Sequence, residues 1–310
     1  MIELTGTLLT PLSVLYGQFS SRYFARLNPE TVNDPDVGAD VELAQLVFRS
    51  ITRLMVYVWN RAKQTNAVQE QIISEFFQSS VTQLEAVFNF RVQLVLALHS
   101  THSFGTLDAN GENCLKLLKD HVQFVTDDYF RTMQKQALSR FMNMPHCTEL
   151  VRYNWDQVVK AMNSPAEYRT NEATAVYPSQ FLCSAMLLFK ESLSVWSPNR
   201  QTAEDVDILP STFVESAVNQ LVQTFLPLSD ASLELWSTDP EGFIEEEEKG
   251  GDSWEIDPRP CAERVLITFA AKYTDIVVPV IKGMYDVVIA TPTVDLASAK
   301  QKEALYAAIG

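Results

Sequence analysis

Few residues in this chain combine the side-chain type and the spacing that chemistry needs. His99 and His102 stand three apart, a separation that sets two imidazoles on one helix face, as a metal pair would require. No H-E-x-x-H surrounds them and no cysteine lies near, so they read as surface or helix-end histidines. His121 and His146 are isolated and read the same way. Cys114, Cys147, Cys183 and Cys261 lie far apart with no C-x-x-C pair, and read as small buried hydrophobes kept reduced in a cytosolic or nuclear setting. Asp127 and Asp128 read as a solvated helix face rather than an acid–base couple. There is no G-x-G-x-x-G, no P-loop and no G-x-S-x-G. Neither a metal, a cofactor nor a catalytic residue is expected, and the sequence points away from an enzyme.

The chemistry that remains is electrostatic. Net charge is −15, and residues 200–258 carry 15 acids against 2 bases, or −13 of that total. Residues 1–199 hold 16 bases and 19 acids, and residues 259–310 hold 6 and 5. Within 239–257, nine acids face Lys249 alone. A run such as Glu245, Glu246, Glu247 and Glu248 cannot enter a core without partners, so it must meet water or a cation. Phe243 and Trp254 flank it, either as pins to the body or as aromatic anchors beside a charged rim. The candidate partner-binding residues are Asp239, Glu241, Phe243, Glu245, Glu246, Glu247, Glu248, Asp252 and Trp254. Nucleic acid is excluded as a direct ligand because its phosphates need the opposite sign; a protein with a basic patch fits.

The elements that must position this segment are helices. Ile72, Phe76, Leu84, Phe88, Val92 and Val95 recur at helical spacing over about 66–104, as one long helix or two. A second long segment carries Leu115, Leu118, Val122, Val125, Tyr129, Met133, Ala137 and Phe141. Residues 41–59, 181–196 and 213–225 show the same period, and strict alternation of a strand is hard to find. Turns are expected at Asn28-Pro29, Asp34-Pro35, Gly38, Gly105 and Asn110-Gly111, with longer connections over 163–179 and 197–210. Asp239-Pro240 ends the helix that holds Leu233 and Trp236, which makes 239–258 an acidic inter-helix loop. Val265, Phe269 and Tyr273 share a face of a following helix, Asp275 is the expected N-cap of the next, with Pro279 in its first turn, and another begins near Val294. Aromatic faces at Phe76, Phe77, Phe88, Phe90, Trp196, Phe213 and Phe225 read as interhelical core, or as grooves that take a partner's aromatic side chain.

The fold class is therefore all-α. Helix pairs at a spacing near the ~40–47 residues of HEAT units point to an α-solenoid, one continuous array over 1–310. Its last residues, Ala304 to Ile309, lack the polar outer face of a capping repeat, so a piece of a longer array is expected. The acid at Glu3 argues against a signal peptide, and no apolar run approaches the ~20 residues that cross a membrane.

Linked blocks in the last quarter carry a resemblance. Trp236, Asp239-Pro240-Glu241-Gly242-Phe243, the acids from Glu245, Gly250-Gly251-Asp252-Ser253-Trp254, Arg259-Pro260-Cys261-Ala262-Glu263 and the stretch from Ala304 to Gly310 resemble the karyopherin-β family of nuclear transport receptors. The resemblance covers about residues 230–310; upstream only the helical patterning is compatible. It implies a superhelix of HEAT hairpins, monomeric and non-enzymatic, that shuttles between cytoplasm and nucleus. Its implied partners are basic protein cargo, Phe-Gly nucleoporins and Ran-GTP, with import cargo released when Ran-GTP binds. The family's N-terminal repeats, which supply the main Ran contact, and its C-terminal arch lie outside this match. A HEAT scaffold or adaptor of another complex, or an exportin of the same family, is the alternative.

Overall fold

The computed structural model describes residues 2–61, 66–170, 174–195, 209–249 and 253–310, and only the backbone of 2–6, 170 and 246–249. No strand occurs among the described residues. The helices are α1 (Ile2–Arg26), α2 (Pro35–Trp59), α3 (Ala67–Ser100), α4 (Ala109–Gln123), α5 (Thr132–Gln136), α6 (Leu138–Met142), α7 (Cys147–Met162), α8 (Glu167–Thr170), α9 (Ser179–Leu193), α10 (Ser211–Thr224), α11 (Asp230–Thr238), α12 (Pro240–Lys249), α13 (Pro258–Lys272), α14 (Thr274–Ala290) and α15 (Leu296–Ile309). They form two compact units, Met1–Tyr153 with Pro165–Phe181, and Asn154–Ser164 with Leu182–Gly310. The aromatic expectation at Trp196 lies outside the described residues.

In the first unit the termini of the helices are written in side-chain chemistry. Asn28 Oδ1 accepts the N–H groups of Glu30 and Thr31 at 2.8 and 3.1 Å, and Thr31 Oγ1 donates to the Arg26 carbonyl at 2.6 Å, closing α1. Asp34 then caps α2 by accepting from Asp36 N–H, with Pro35 fixed in the first turn. Gly38, expected in this turn, lies inside α2, because the cap at Asp34 starts the helix before it. Asn33 reaches the next turn, donating to Thr106 O and accepting from Asp108 N–H, each at 3.1 Å. Asp108 caps α4, so Asn110 and Gly111 fall in its first turn rather than in the loop.

The 66–104 pattern resolves as one helix. Asn66 and Gln69 form a reciprocal capping box, and Ile73, Phe77, Leu84, Phe88, Val95 and Leu98 are buried along α3. Among the described residues α3 alone is long and apolar enough to cross a membrane, yet it packs as a core helix, with Phe77 edge-on to Phe130 and Phe141. Buried Arg91 on α3 donates to the carbonyls of Ala175 and Val176 at 2.7 and 2.8 Å. The second long segment is less regular than its period implies. After Gln123 the helix widens into a π-helical stretch, Phe124–Arg131, and it breaks at Ala137, where φ is −154° and ψ is 71°.

His121 corrects the surface expectation. It is 4% exposed, stacked on Tyr16 at 7° and 5.3 Å from the Phe48 ring centre. Burial, and then the positive charge of Arg49, pull its pKa down to about 4. His99, by contrast, stands in the last turn of α3, its Nε2 lying 3.0 Å from Thr174 O. All four cysteines are buried.

In the second unit Val214, Val218 and Leu221 of α10 and Val265, Leu266 and Phe269 of α13 are buried. Helix α10 packs on α13, α14 and α15. Asp275 is not a cap. Tyr273, non-helical at φ −125°, closes α13 through its N–H and opens α14 one residue on; Asp275 sits inside the first turn, where its charge suits the helix dipole, and Pro279 falls in the second turn. Helix α14 is apolar nearly all round, yet only Val277 is buried, while Val278, Val287 and Ile289 are exposed.

The His121 environment has a pH consequence. An unfolded imidazole takes its proton near pH 6.5, whereas the buried one resists until about pH 4, so below 6.5 the unfolded chain binds more protons. The stability is complete above pH 6.5 and falls by about 1.4 kcal/mol per pH unit until about pH 4. Urea unfolding of the wild type should lose about 2 kcal/mol more between pH 7 and pH 5 than unfolding of His121→Phe, whose ring suits the same aromatic site.

Candidate functional site

The acidic segment is built on caps. Ser229 caps α11 by accepting from Ser232 N–H at 3.0 Å. The chain turns at Asp239, and the Asp239 carboxylate accepts the Gly242 N–H at 3.0 Å while its carbonyl accepts from Phe243 N–H at 3.0 Å. Pro240 therefore stands in the first helical position of α12, where its missing N–H costs nothing. A Cβ on Gly242 would meet the Asp239 carboxylate at 2.4 Å, so glycine leaves room for that carboxylate. The segment expected as an acidic loop over 239–258 is consequently helical from Pro240 to Lys249. The physical reason is that an aspartate cap, a proline in the first turn and glutamates of high helix propensity near a positive dipole end all favour a helix.

The far end of the segment is tied down. Trp254, in a short 3₁₀ turn, is half-buried, with Lys190 Nζ 5.9 Å and Arg264 Cζ 5.4 Å from its ring centre. Asp257 caps α13 by accepting from Arg259 N–H, with Pro258 following it. Arg259 donates both guanidinium amines to the Glu303 carboxylate of α15, at 3.1 and 2.5 Å, and lies 3.6 Å from Glu263 one turn on. Cys261 is fully buried, its thiol 3.6 Å from the Cys183 carbonyl oxygen. Lys300 of α15 reaches Asp230 of α11 at 2.6 Å and holds that carboxyl below the usual carboxylate range.

The nine residues singled out from the sequence thus divide. Asp239 is engaged as a cap, Phe243 is half-buried, and Trp254 is a pin clasped by two cations. Glu241 and Glu245 are exposed on α12. Glu246, Glu247 and Glu248 belong to α12 by backbone, their side chains outside the described residues, as is Asp252 altogether. Trp236 and Ile244, 57% and 56% exposed, lie on α11 and α12 and are not in that set. One sign of them is readable: Leu233 and Trp236 share one side of α11 while Leu235 takes another, more apolar circumference than a nine-residue helix buries.

Exposed acids beside exposed apolar side chains can bind a basic surface. Among the described residues no group of three or more His, Cys, Asp or Glu is placed to hold a metal. The fold is that of a HEAT-type α-solenoid. A solved structure of Lph2, described as a novel bidirectional nuclear transport receptor in S. cerevisiae, matches 96% of this chain and 33% of its own with a TM-score of 0.53 and 15% identity. In sequence, importin-11 of Mus musculus and importin-11 of Homo sapiens are each 36% identical over 92 residues, 29% of this chain. The chain spans only 9% of the length of these relatives. No family model matches. Sequence and fold therefore agree on a karyopherin-β-like stretch of chain.

The division of labour is testable by substitution. Asp239→Ala should cost about 1 kcal/mol, the usual value of a lost cap, and Arg259→Gln about 1–2 kcal/mol through the charged hydrogen bonds to Glu303. Glu241→Gln should stay within about 0.5 kcal/mol of the wild type in the same urea titration.

Proposed function

We propose that this chain is part of a karyopherin-β-type nuclear transport receptor, a non-enzymatic carrier that moves protein cargo between cytoplasm and nucleus. The observation that carries the reading is the match to importin-11. Residues 1–310 act as one array within a longer receptor, and the exposed apolar sides of α14 are the faces on which further helices of that array pack. The partners are basic protein cargo, Phe-Gly nucleoporins and Ran-GTP, and Ran-GTP binding releases import cargo. The acidic segment from Asp239 to Asp257 supplies attraction for a basic partner surface, at the sites Asp239, Glu241, Phe243, Glu245 to Glu248, Asp252 and Trp254. The description of Lph2 as bidirectional favours a second reading in which the same receptor also exports. Ran-GTP would then strengthen the hold on export cargo.

Two measurements on the intact receptor test this. GTP-loaded Ran should bind far better than GDP-loaded Ran, and immobilised Phe-Gly repeats should retain the receptor; a scaffold of another complex would do neither. Replacing Glu241 and Glu245 to Glu248 by Gln should weaken the basic partner by roughly tenfold at low salt, since exposed pairs contribute about 0.2–1 kcal/mol each, and should flatten the salt dependence. Unchanged affinity and slope for both cargo and Ran would remove the acidic segment from the function.

A further inference from the structure

Helices α11 and α12 pack on each other, yet no side chain of α11 is buried. Nine- and ten-residue helices are too short to stand alone in water, so caps and contacts must sustain them. The caps at Ser229 and Asp239, and the Asp230–Lys300 ion pair, serve that purpose. Their apolar side chains then fall into two sets. Leu233, Leu235 and Phe243 are half-buried, whereas Trp236 and Ile244 are left mostly in water. A tryptophan is among the side chains most often found to dominate binding energy when a partner desolvates it.

What surrounds these two residues selects the partner. Glu234, Glu241 and Glu245 are exposed on the same two helices, and residues 230–257 hold 11 acids against Lys249. A second copy of this chain, with its net charge of −15, would be repelled, as would nucleic acid. The protein itself shows how a cation and a tryptophan combine in this segment, since Lys190 and Arg264 both approach the Trp254 ring. Trp254 is satisfied from within; for Trp236 no cation–ring contact of that kind is found among the described residues.

We propose that α11 and α12 form a docking surface for a basic protein segment that carries a large apolar residue between its lysines or arginines. Trp236 and Ile244 take the apolar side chain, and the acids around them hold the flanking cations. The proposal rests on the reading of the acidic segment as a partner surface and adds the apolar half of the recognition.

Three synthetic peptides test it by fluorescence anisotropy on the whole receptor and on its Trp236→Ala and Trp236→Phe variants. One peptide is lysine- and arginine-rich with a central leucine, the second replaces that leucine by glutamine, and the third keeps the leucine but replaces the basic residues by glutamine. The first should bind about tenfold tighter than the second, Trp236→Ala should abolish that difference, and Trp236→Phe should keep most of it. Because Trp236 is exposed, the thermal midpoint of Trp236→Ala should match the wild type, so a change in binding reports the surface rather than the fold. Equal binding of the first two peptides, indifferent to Trp236, overturns the proposal while the acidic reading stands. Binding of the third as tight as the first overturns the cationic half, and failure of all three at low salt overturns both readings. An intact peptide preference with no Ran or Phe-Gly binding would instead remove the transport function alone.

Discussion

In the second unit, four helices that are far apart in the chain meet on one indole. Trp155 of α7 stacks on Phe189 of α9 with ring centres 4.2 Å apart, and Phe213 of α10 and Phe269 of α13 lie at 6.1 and 6.3 Å. Trp155 is 2% exposed, and its Nε1 has no hydrogen-bond partner among the described residues. An orphaned buried donor costs about 1–3 kcal/mol, while burying a tryptophan's ~150–250 Å² at ~25 cal/mol per Å² contributes about 4–6 kcal/mol. Packing prevails, and it does so because the site gathers aromatic faces rather than acceptors. The placement of α13, and through it the anchoring of the acidic segment, depends on this contact.

From α13 outward, the blocks that resemble transport receptors are mostly structural. The carboxylate of Asp239 caps a helix, Gly242 makes room for it, Trp254 is clasped by Lys190 and Arg264, Arg259 ties α13 to α15, and Cys261 fills core space. The two ends of the segment keep a defined form despite its charge because hydrogen bonds and cation–ring contacts fix them. Exposed helix, in turn, suits the proposed carrier role, because adhesion requires displayed side chains.

Much of the fold was legible from the residues alone. The period of α3 and the Asp239-Pro240 stop are local features, written within one or two helical turns. The features that escaped are of two kinds. The π-helical widening at Phe124–Arg131 and the break at Ala137 leave the apolar period nearly intact, so no pattern marks them. Contacts such as Arg259 with Glu303, or Trp254 with Lys190, join residues that only the packed helices bring together. His121 escaped because a lone histidine carries no sign of the Tyr16 and Phe48 rings that enclose it. Helix α12 was misjudged because proline, glycine and an acidic run each suggest a loop, although in the order D-P-E-G they start a helix.

The dependence on Trp155 is open to one direct measurement: native-state hydrogen exchange of the whole chain with Trp155→Ala. The account predicts that α9, α10 and α13 lose protection together, by about 3–5 kcal/mol of opening free energy, since all three share the indole. Loss confined to α7, with protection elsewhere as in the wild type, would show that these helices hold together without it and would contradict the account.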